Sequence, residues 1–278
     1  MKKISRRSFL AAAGLSVAAL ALTACGGSSA STASSVASSA ASSEAASTSA
    51  AAGELTTVEA GKLTMATNAA FPPYEMTTDA GEFEGIDIET AQAIADKLGL
   101  ELQIDDMDFD AALLSVQQGK ADIVMAGVTV TDERKAVMDF SDSYATGIQS
   151  IIVPEGSDIA SPDLAGKKIG TQRGTTGYIY CSDDFGDENV VAYDDGLTAV
   201  QALNNGQVDA VVIDNAPAQE FIAANPGLKI LDTSYAEEDY AIGMAKGSSL
   251  EDAVNAALKE LKADGTLQSI VDKYIKAE

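Results

Sequence analysis

The sequence predicts an α/β fold with two lobes, each built from a parallel β-sheet and crossover helices. After residue 59, short runs rich in β-branched residues alternate with segments of helical periodicity, the pattern of strand–helix–strand units. The alternation forms two successive series. Hydrophobic residues make up 46% of the 278 residues, which is enough to fill the core of one large domain or two small ones.

Residues 1–24 have the composition of an export signal. Four basic residues among the first seven precede an apolar run, residues 9–22, that is too short for a membrane span. The run ends in Leu-Thr-Ala-Cys-Gly, which resembles a bacterial lipobox, so Cys25 is predicted to become the lipidated first residue of the mature protein. Residues 5–10 also resemble a twin-arginine motif, and both export routes therefore remain open.

Residues 25–58 are predicted to form a tether between the lipid and the folded part. From residue 26 to about residue 53 the chain is almost entirely Ser, Ala and Thr, with Val36 as its one larger apolar side chain. Such a segment buries too little apolar surface to offset the entropy lost on ordering. We therefore expect a flexible linker.

The first series of elements lies between residues 62 and 126. It contains predicted strands at 62–67, 100–104 and 121–126 and predicted helices at 86–98 and 108–118. The helix at 86–98 has apolar residues at positions 88, 91, 94, 95 and 98, one face of a helix, and Gly99 marks its end. Gly119 ends the second helix in the same way.

The second series begins near residue 149. Its predicted strands lie at 149–153, 167–171, 189–192 and 209–213, and its helices begin at 175, 197 and 217. Two further helices are predicted at 250–262 and 266–276. Ligands of such folds bind at the carboxyl ends of the strands, so the candidate site segments are 68–74, 127–134, 172–177 and Asp214.

Composition excludes several classes of function. The net charge is −24, with 42 acidic and 18 basic residues, whereas nucleic-acid binding requires clustered Lys and Arg. The sequence contains no histidine, which removes the usual general base and the commonest metal ligand. We therefore predict no catalytic residues, no metal site, no cofactor and no nucleic-acid partner.

The segments that follow the strands resemble the polar amino-acid-binding proteins of ABC importers, the family 3 extracellular solute-binding proteins. The stretches that carry the resemblance, in the family's order, are residues 68–75, 84–89, 108–110, 126–135, 139–142, 174–176 and 208–214. The resemblance covers nearly the whole chain from residue 62. It implies a type II periplasmic-binding-protein clamshell with two hinge crossings, in which lobe 1 is 59–145 with 241–278, and 146–240 holds lobe 2 and the crossings.

The resemblance also implies that the ligand is an amino-acid zwitterion enclosed between the lobes. Arg134 and Thr176, with the backbone N–H groups of Thr129 and Thr176, would bind its carboxylate. Asp214 would accept hydrogen bonds from its ammonium, together with the Gly127 carbonyl and the Thr129 hydroxyl. Both charges need a partner because an unpaired buried charge is very costly.

The family's side-chain pocket falls on uncharged positions of this chain. They are Asn68, Phe71, Phe109, Gln172 and Ile213. Because none is charged, a neutral polar amino acid such as glutamine is favoured, with its aliphatic part between the two phenylalanine rings. Three charged residues, Glu75, Arg173 and Asp142, could still reach into the pocket.

The expected function is therefore that of an extracytoplasmic lipoprotein, a monomer, that delivers a polar amino acid to an ABC permease and its ATPase. One alternative is an enzyme on the same fold, such as a periplasmic dehydratase, which the absence of histidine and of a nucleophile beside a base disfavours. The other is a sensor ectodomain, which would need a transmembrane helix and a signalling domain that we do not expect here.

Overall fold

The computed structural model describes residues 55–275. The predicted signal peptide, Cys25 and nearly all of the predicted tether lie outside the described residues. Within 55–275 the chain forms two central β-sheets and one small three-stranded sheet, flanked by helices. The fold is α/β and two-lobed, with one central sheet in each lobe.

The elements are defined by the following residues. The strands are β1 (Lys62–Thr67), β2 (Ala70–Phe71), β3 (Glu75–Thr77), β4 (Phe83–Glu84), β5 (Glu101–Asp106), β6 (Ile123–Val124), β7 (Met138–Phe140), β8 (Ala145–Pro154), β9 (Ile169–Gln172), β10 (Val190–Tyr193), β11 (Ala210–Asp214), β12 (Leu228–Ile230), β13 (Ala236–Tyr240) and β14 (Gly243–Ala245). The helices are α1 (Ile86–Leu98), α2 (Phe109–Gln117), α3 (Asp132–Val137), α4 (Thr176–Phe185), α5 (Gly196–Asn204), α6 (Asn215–Ala224), α7 (Glu251–Ala263) and α8 (Thr266–Tyr274), and a 3₁₀ turn spans Asp187–Asn189.

The first sheet has the strand order β5-β1-β6-β14-β7. Strand β1 is parallel to both β5 and β6, and Met65 lies opposite Ile104 on one side and Ile123 on the other. Strand β14 inserts antiparallel between β6 and β7. This lobe is therefore completed by a segment that follows the second sheet in the sequence.

The second sheet has the order β10-β9-β11-β8-β12, with β13 also paired to β8. Strands β9, β10 and β11 are parallel, whereas the ten-residue β8 is antiparallel to β11, β12 and β13. Strand β8 follows β7 of the first sheet, and β13 leads into β14. The adjacent, antiparallel pair β8–β13 thus carries both connections between the lobes.

The sequence predicts the crossover units well and the antiparallel strands poorly. The bounds of β1 and α1 are as predicted, and Gly99 ends α1 in a left-handed conformation, donating its N–H to the Ala95 and Asp96 carbonyls. The parallel strands expected from the crossover pattern are present in both sheets, but each sheet is mixed, because β7, β8, β12, β13 and β14 all pair antiparallel. Strands of two or three residues, such as β2, β4 and β14, are too short to show a period.

Apolar side chains fill both lobes, and three buried clusters cover the faces of the two sheets. The free thiol of Cys181 lies in the cluster of the second sheet, and burial raises its pKa to about 12, so it is held as an inert thiol. No helix between residues 55 and 275 is both long and apolar enough to cross a membrane.

Candidate ligand-binding site

A cavity lies between the lobes, at the carboxyl ends of strands from both sheets. All ten residues of the predicted ligand site line it: Asn68, Phe71, Phe109, Gly127, Thr129, Arg134, Gln172, Thr176, Ile213 and Asp214. Six further residues complete the lining: Glu75, Ala126, Gln149, Thr175, Val212 and Tyr240. The enclosed space is small, about 30 Å³, because side chains of the two lobes meet across it. This is a closed arrangement of the lobes.

The topology explains why residues so far apart in sequence converge here. Asn68 follows the end of β1, Gly127 and Thr129 follow β6, Gln172 ends β9 and Asp214 ends β11. Parallel strands of one sheet place their carboxyl ends at the same edge, where crossover connections diverge. The two sheets turn these edges toward each other.

Arg134 supplies the cation of the site. Its backbone N–H is capped by the Thr131 hydroxyl at the start of α3, and its side chain is only 9% exposed. The guanidinium donates from Nη1 to the Thr129 carbonyl at 2.8 Å and from Nη2 to the Gly174 carbonyl of the other lobe at 3.1 Å. It lies over the Phe109 ring, 5.4 Å from the ring centre. Burial lowers the Arg134 pKa from its usual value. The guanidinium nevertheless stays charged at neutral pH, because its ordinary pKa is very high.

Asp214 supplies a carboxylate from the second lobe. It is 1% exposed, and its Oδ2 accepts from the Ile148 N–H at 2.7 Å while Oδ1 accepts from the Ala216 N–H at 3.2 Å. Burial raises its pKa to about 6, and these hydrogen bonds act in the opposite direction. A cation placed beside Asp214 would favour its charged form.

The polar end of the predicted side-chain pocket joins the two lobes. The Gln172 amide donates to Asn68 Oδ1 at 2.8 Å, and the Asn68 amide donates to the Met107 carbonyl at 3.0 Å. Phe71 and Phe109, both buried, line the same cavity, as does Ile213. The pocket therefore has two side-chain amides at one end, and its remaining wall is aromatic or aliphatic.

Gly127 shows why this position requires a glycine. Its φ is +55°, in the left-handed region. A Cβ built there would lie 2.8 Å from Cε1 of Phe71 and 3.1 Å from Cε2 of Tyr240. Any side chain at this position would force the Phe71 ring, and to a lesser degree the Tyr240 ring, to shift.

Of the three charged residues that could reach the pocket, one does so. Glu75 lines the cavity and is completely buried, whereas Arg173 pairs with Asp194 at 3.6 Å outside it. Asp142 is exposed, and its backbone N–H donates to Asn255 on α7. Sequence reasoning could not choose among the three, because each belongs to a different loop or strand and their burial depends on tertiary packing.

Glu75 forms a buried acidic pair with Asp87 behind the cavity. Burial and the adjacent Asp87 raise the Glu75 pKa well above its usual value, so this carboxyl is held protonated. Burial also raises the Asp87 pKa to about 6, and Asp87 Oδ2 accepts from the Gly127 N–H at 3.0 Å and the Tyr144 hydroxyl at 2.8 Å. The pair therefore supports the backbone of Gly127 and presents a neutral acid to the cavity.

Glu238 is a residue near the site that the sequence did not identify. Glu238 Oε2 accepts from the hydroxyls of Thr129 and Thr176 and from the amide of Gln149. Glu238 is the buried member of an alternating strand whose neighbours Glu237 and Asp239 are exposed. The alternation alone could not identify it, because three consecutive acidic residues look like a solvated segment.

Comparison with known proteins agrees with this geometry. The model of the bacterial extracellular solute-binding proteins, family 3, matches residues 63–277. The chain belongs to this family. The L-cystine-binding protein TcyJ of Escherichia coli K12 is 32% identical over 225 residues, covering 79% of this chain and 85% of that protein. The arginine-binding extracellular protein ArtP of Bacillus subtilis 168 is 33% identical over 228 residues, covering 78% and 87%.

Solved structures of similar proteins share the fold. The arginine-, lysine-, histidine-binding protein ArtJ of Geobacillus stearothermophilus matches with a TM-score of 0.75 and 34% identity, over 78% of this chain and 96% of that chain. An ancestral arginine-binding protein bound to glutamine matches with a TM-score of 0.75 and 41% identity, over 78% and 99%. The type II periplasmic-binding-protein fold predicted from the sequence is thereby confirmed.

The family is described as one of solute-binding proteins and not of enzymes. Within residues 55–275, no group of three or more Cys, Asp or Glu side chains is arranged to hold a metal ion. The chemistry that the cavity offers is recognition: one buried cation, buried carboxyl groups, hydroxyls and amides around apolar rings.

Proposed function

We propose that this protein is the extracytoplasmic amino-acid receptor of an ABC importer. The observation that carries the proposal is the placement of Arg134 and Asp214, two buried groups of opposite charge that approach one cavity from opposite lobes. An α-amino acid presents a carboxylate and an ammonium a short distance apart, and burying either charge without a partner is very costly. The ligand would bridge the lobes and so favour their closed state.

The carboxylate of the ligand would bind the Arg134 guanidinium and the N–H groups of Thr129 and Thr176. Thr176 is the first residue of α4, where free backbone N–H groups and the helix dipole favour an anion. The ammonium would bind Asp214, the Gly127 carbonyl and the Thr129 hydroxyl. Because the enclosed space is about 30 Å³, the lobes must move apart to admit the ligand and then close around it.

A neutral polar side chain, as in glutamine, is our preferred ligand class. The Asn68 and Gln172 amides would hydrogen-bond to it, and the Phe71 and Phe109 rings would cover its aliphatic part. Glu75, an acidic residue at this cavity, has a pKa raised well above its usual value by burial and by the adjacent Asp87, so ionising it to pair with a cationic side chain would cost more free energy than at an exposed carboxyl. Similar ancestral arginine-binding proteins are known bound to glutamine and bound to arginine, so relatives of this chain bind neutral as well as cationic side chains. The glutamine-binding protein GlnH of Bacillus subtilis 168, 34% identical over 205 residues, supports the preference for a neutral side chain.

We further propose that lipidation of Cys25 holds the protein at the outer surface of the cytoplasmic membrane. Its partners would be an ABC permease and the associated ATPase, and the protein would act as a monomer. In this proposal lobe 1 comprises residues 59–145 and 241–278, and residues 146–240 form lobe 2 with the two crossings. The lipobox resemblance supports the lipid anchor, and the family membership supports the transporter partners and the two lobes.

The test is a thermal-shift screen of the purified full-length chain, unfolded and refolded to remove carried-over ligand. The panel contains the common amino acids, cystine, small peptides, sugars and polyamines. A ligand at a hundredfold excess over its Kd stabilises the folded state by about 2.7 kcal/mol, which raises Tm measurably. We expect glutamine to raise Tm more than arginine does. A folded protein whose Tm responds to no amino acid would contradict the receptor function, and a larger response to arginine would contradict only the neutral-ligand preference.

A further inference from the structure

Glu238 occupies an unusual place for an acidic residue, at the junction of both lobes and both crossings. It lies in β13 opposite Gly147 of β8, and its side chain is 6% exposed. The neighbouring backbone ties β13 to the first lobe, since the Val130 N–H donates to the Asp239 carbonyl at 3.0 Å. Glu238 is therefore fixed where the connecting strands meet the cavity.

One oxygen of Glu238 gathers donors from three separate segments. Oε2 accepts from the Thr129 hydroxyl at 3.0 Å, from the Thr176 hydroxyl at 2.9 Å and from Gln149 Nε2 at 3.1 Å. Thr129 belongs to the first lobe, and Thr176 begins α4 of the second. This set of hydrogen bonds is complete only when the lobes are closed.

The hydrogen bonds to Glu238 determine whether the Thr129 and Thr176 hydroxyls can donate to a ligand or only accept from it. A threonine hydroxyl has one proton, so donation to Glu238 leaves only its lone pairs free. Thr129 and Thr176 both line the cavity, with their hydroxyl oxygens 3.3 Å apart. Toward the cavity they are therefore acceptors, which suit an ammonium group with its three N–H donors. This differs from the sequence-based expectation that the Thr176 side chain binds the ligand carboxylate, because the one hydroxyl proton of Thr176 is donated to Glu238.

The charge of Glu238 acts in the same direction. Its second oxygen, Oε1, is buried and has no hydrogen-bond partner between residues 55 and 275. Arg134, the nearby buried cation, makes its hydrogen bonds to the Thr129 and Gly174 carbonyls and no ion pair within residues 55–275. Arg134 attracts Glu238 electrostatically without a direct hydrogen bond to it, so an ammonium group beside Glu238 would be stabilised by the same negative charge.

We propose that Glu238 is a positioning residue for the ammonium group of the ligand: it holds the Thr129 and Thr176 hydroxyls as acceptors across the closed lobes and adds a second negative charge to that of Asp214. This inference rests on the proposed function. It assigns to the hinge strand β13 a direct share in ligand affinity, and not merely the connection of two lobes.

The test compares Glu238→Gln with Glu237→Gln in the purified full-length chain. The glutamine amide retains an acceptor oxygen for the threonine hydroxyls but lacks the charge, and the exposed neighbour Glu237 is the matched control. The probe is the L-amino acid that gives wild type its largest thermal shift, and Kd is measured by calorimetry. We expect E238Q to bind about 10- to 100-fold more weakly than E237Q, as for the loss of a buried charged hydrogen bond.

The outcomes separate this inference from the function on which it rests. A purely structural Glu238 would lower the Tm of the ligand-free protein while leaving Kd unchanged, and E238Q binding as tightly as E237Q would overturn the proposal. If E238Q does not fold, the Thr176→Val and Thr176→Ser pair decides. If T176V loses ligand affinity and T176S retains it, the proposed role of Glu238 in holding this hydroxyl is supported. If T176V and T176S bind the ligand equally well, that role is rejected. Failure of wild type to bind any amino acid would instead reject the proposed function.

Discussion

At the scale of single residues, the site depends on a few buried groups whose environment sets their charge. Arg134 stays charged although it is buried, because carbonyl oxygens of both lobes accept its N–H groups. Asp214 and Asp87 each have a pKa raised to about 6, and Glu75 is held neutral. In the proposed function these groups bind one anionic and one cationic group of the ligand, and a neutral ligand side chain is preferred.

Replacing Arg134 tests the carboxylate partner. Arg134→Ala should weaken amino-acid binding by about 2–5 kcal/mol, as loss of one partner of a buried charge pair does. Arg134→Lys keeps the charge but not the planar fork, so we expect an intermediate affinity. Calorimetry measures both variants. Wild-type affinity in R134A would show that the ligand carboxylate binds elsewhere.

The raised pKa of Asp214 predicts that ligand affinity depends on pH. Below about pH 6 the free protein holds a proton on Asp214, and that proton must leave before the carboxylate can pair with an ammonium. Affinity should therefore fall as pH is lowered from 7 to 5, by up to about tenfold per pH unit, and level off above 7. The α-carboxyl and ammonium of the ligand do not titrate in this window.

Calorimetry at several pH values checks this dependence, with circular dichroism at each pH to establish that the protein remains folded. Asp214 faces Glu238, Tyr240 and Tyr74, and it is packed against the β8 backbone. Of these groups, both tyrosine pKa values are raised, so neither ring ionises in the window. An affinity independent of pH between 5 and 7 would contradict the pairing of Asp214 with the ammonium.

At the scale of elements, the adjacent strands β8 and β13 connect the lobes and also form the back of the site. Gly147 of β8 lies opposite Glu238 of β13, and Tyr240 packs closely over Gly147. A Cβ at position 147 would lie 2.5 Å from Cζ of Tyr240 and 2.7 Å from Oδ2 of Asp214. The connection and the cavity therefore share the same tightly packed atoms.

Gly147→Ala should impair both stability and binding. We expect the free energy of unfolding to fall by about 1–3 kcal/mol, as in other overpacked positions, with weaker ligand binding because Asp214 is displaced. Gly156→Ala is the matched control, since a Cβ there has no neighbour within 4 Å and its φ is not in the left-handed region. Chemical denaturation and calorimetry report the two effects. Equal stability and affinity in both variants would show that β8 and β13 can accommodate a methyl group at position 147 without loss of stability or binding.

At the scale of the whole molecule, the protein is acidic, with a net charge of −24, and the two lobes meet around the site. Contacts across the cavity join the lobes directly, as between Gln172 and Asn68 and between Arg134 and Gly174. Opening the cavity must break these hydrogen bonds. A ligand that restores equivalent contacts would make closure favourable again.

The proposed membrane anchor concerns the whole chain. Cys25→Ser should release the protein from membranes into the soluble fraction without changing its ligand affinity, because the predicted lipid attachment precedes the folded part. Cell fractionation with immunoblotting measures the first effect, and calorimetry of the released protein measures the second. A C25S protein that remains with the membranes would contradict the lipobox interpretation.

The sequence by itself determined the parts that depend on local chemistry. Helical periodicity and Gly99 located α1, and the alternation of short strand-like runs with helical segments located β1. All ten predicted site residues line one cavity. Several of them follow strands whose carboxyl ends share a sheet edge, and the others were assigned by the family resemblance. These features are encoded within short segments, so periodicity and motif order reveal them.

Only the tertiary structure decided the remainder. Glu238 accepts hydrogen bonds from Thr176, which is 62 positions away in the sequence, and from Thr129, which is 109 positions away. Asp87 accepts a hydrogen bond from the Gly127 backbone, 40 positions away. The antiparallel strands β13 and β14 are identified by their partners and not by a pattern of their own. Whether an acidic residue is solvated or buried depends on which segments fold over it, and this is settled by packing between distant parts of the chain and not by the residues beside it.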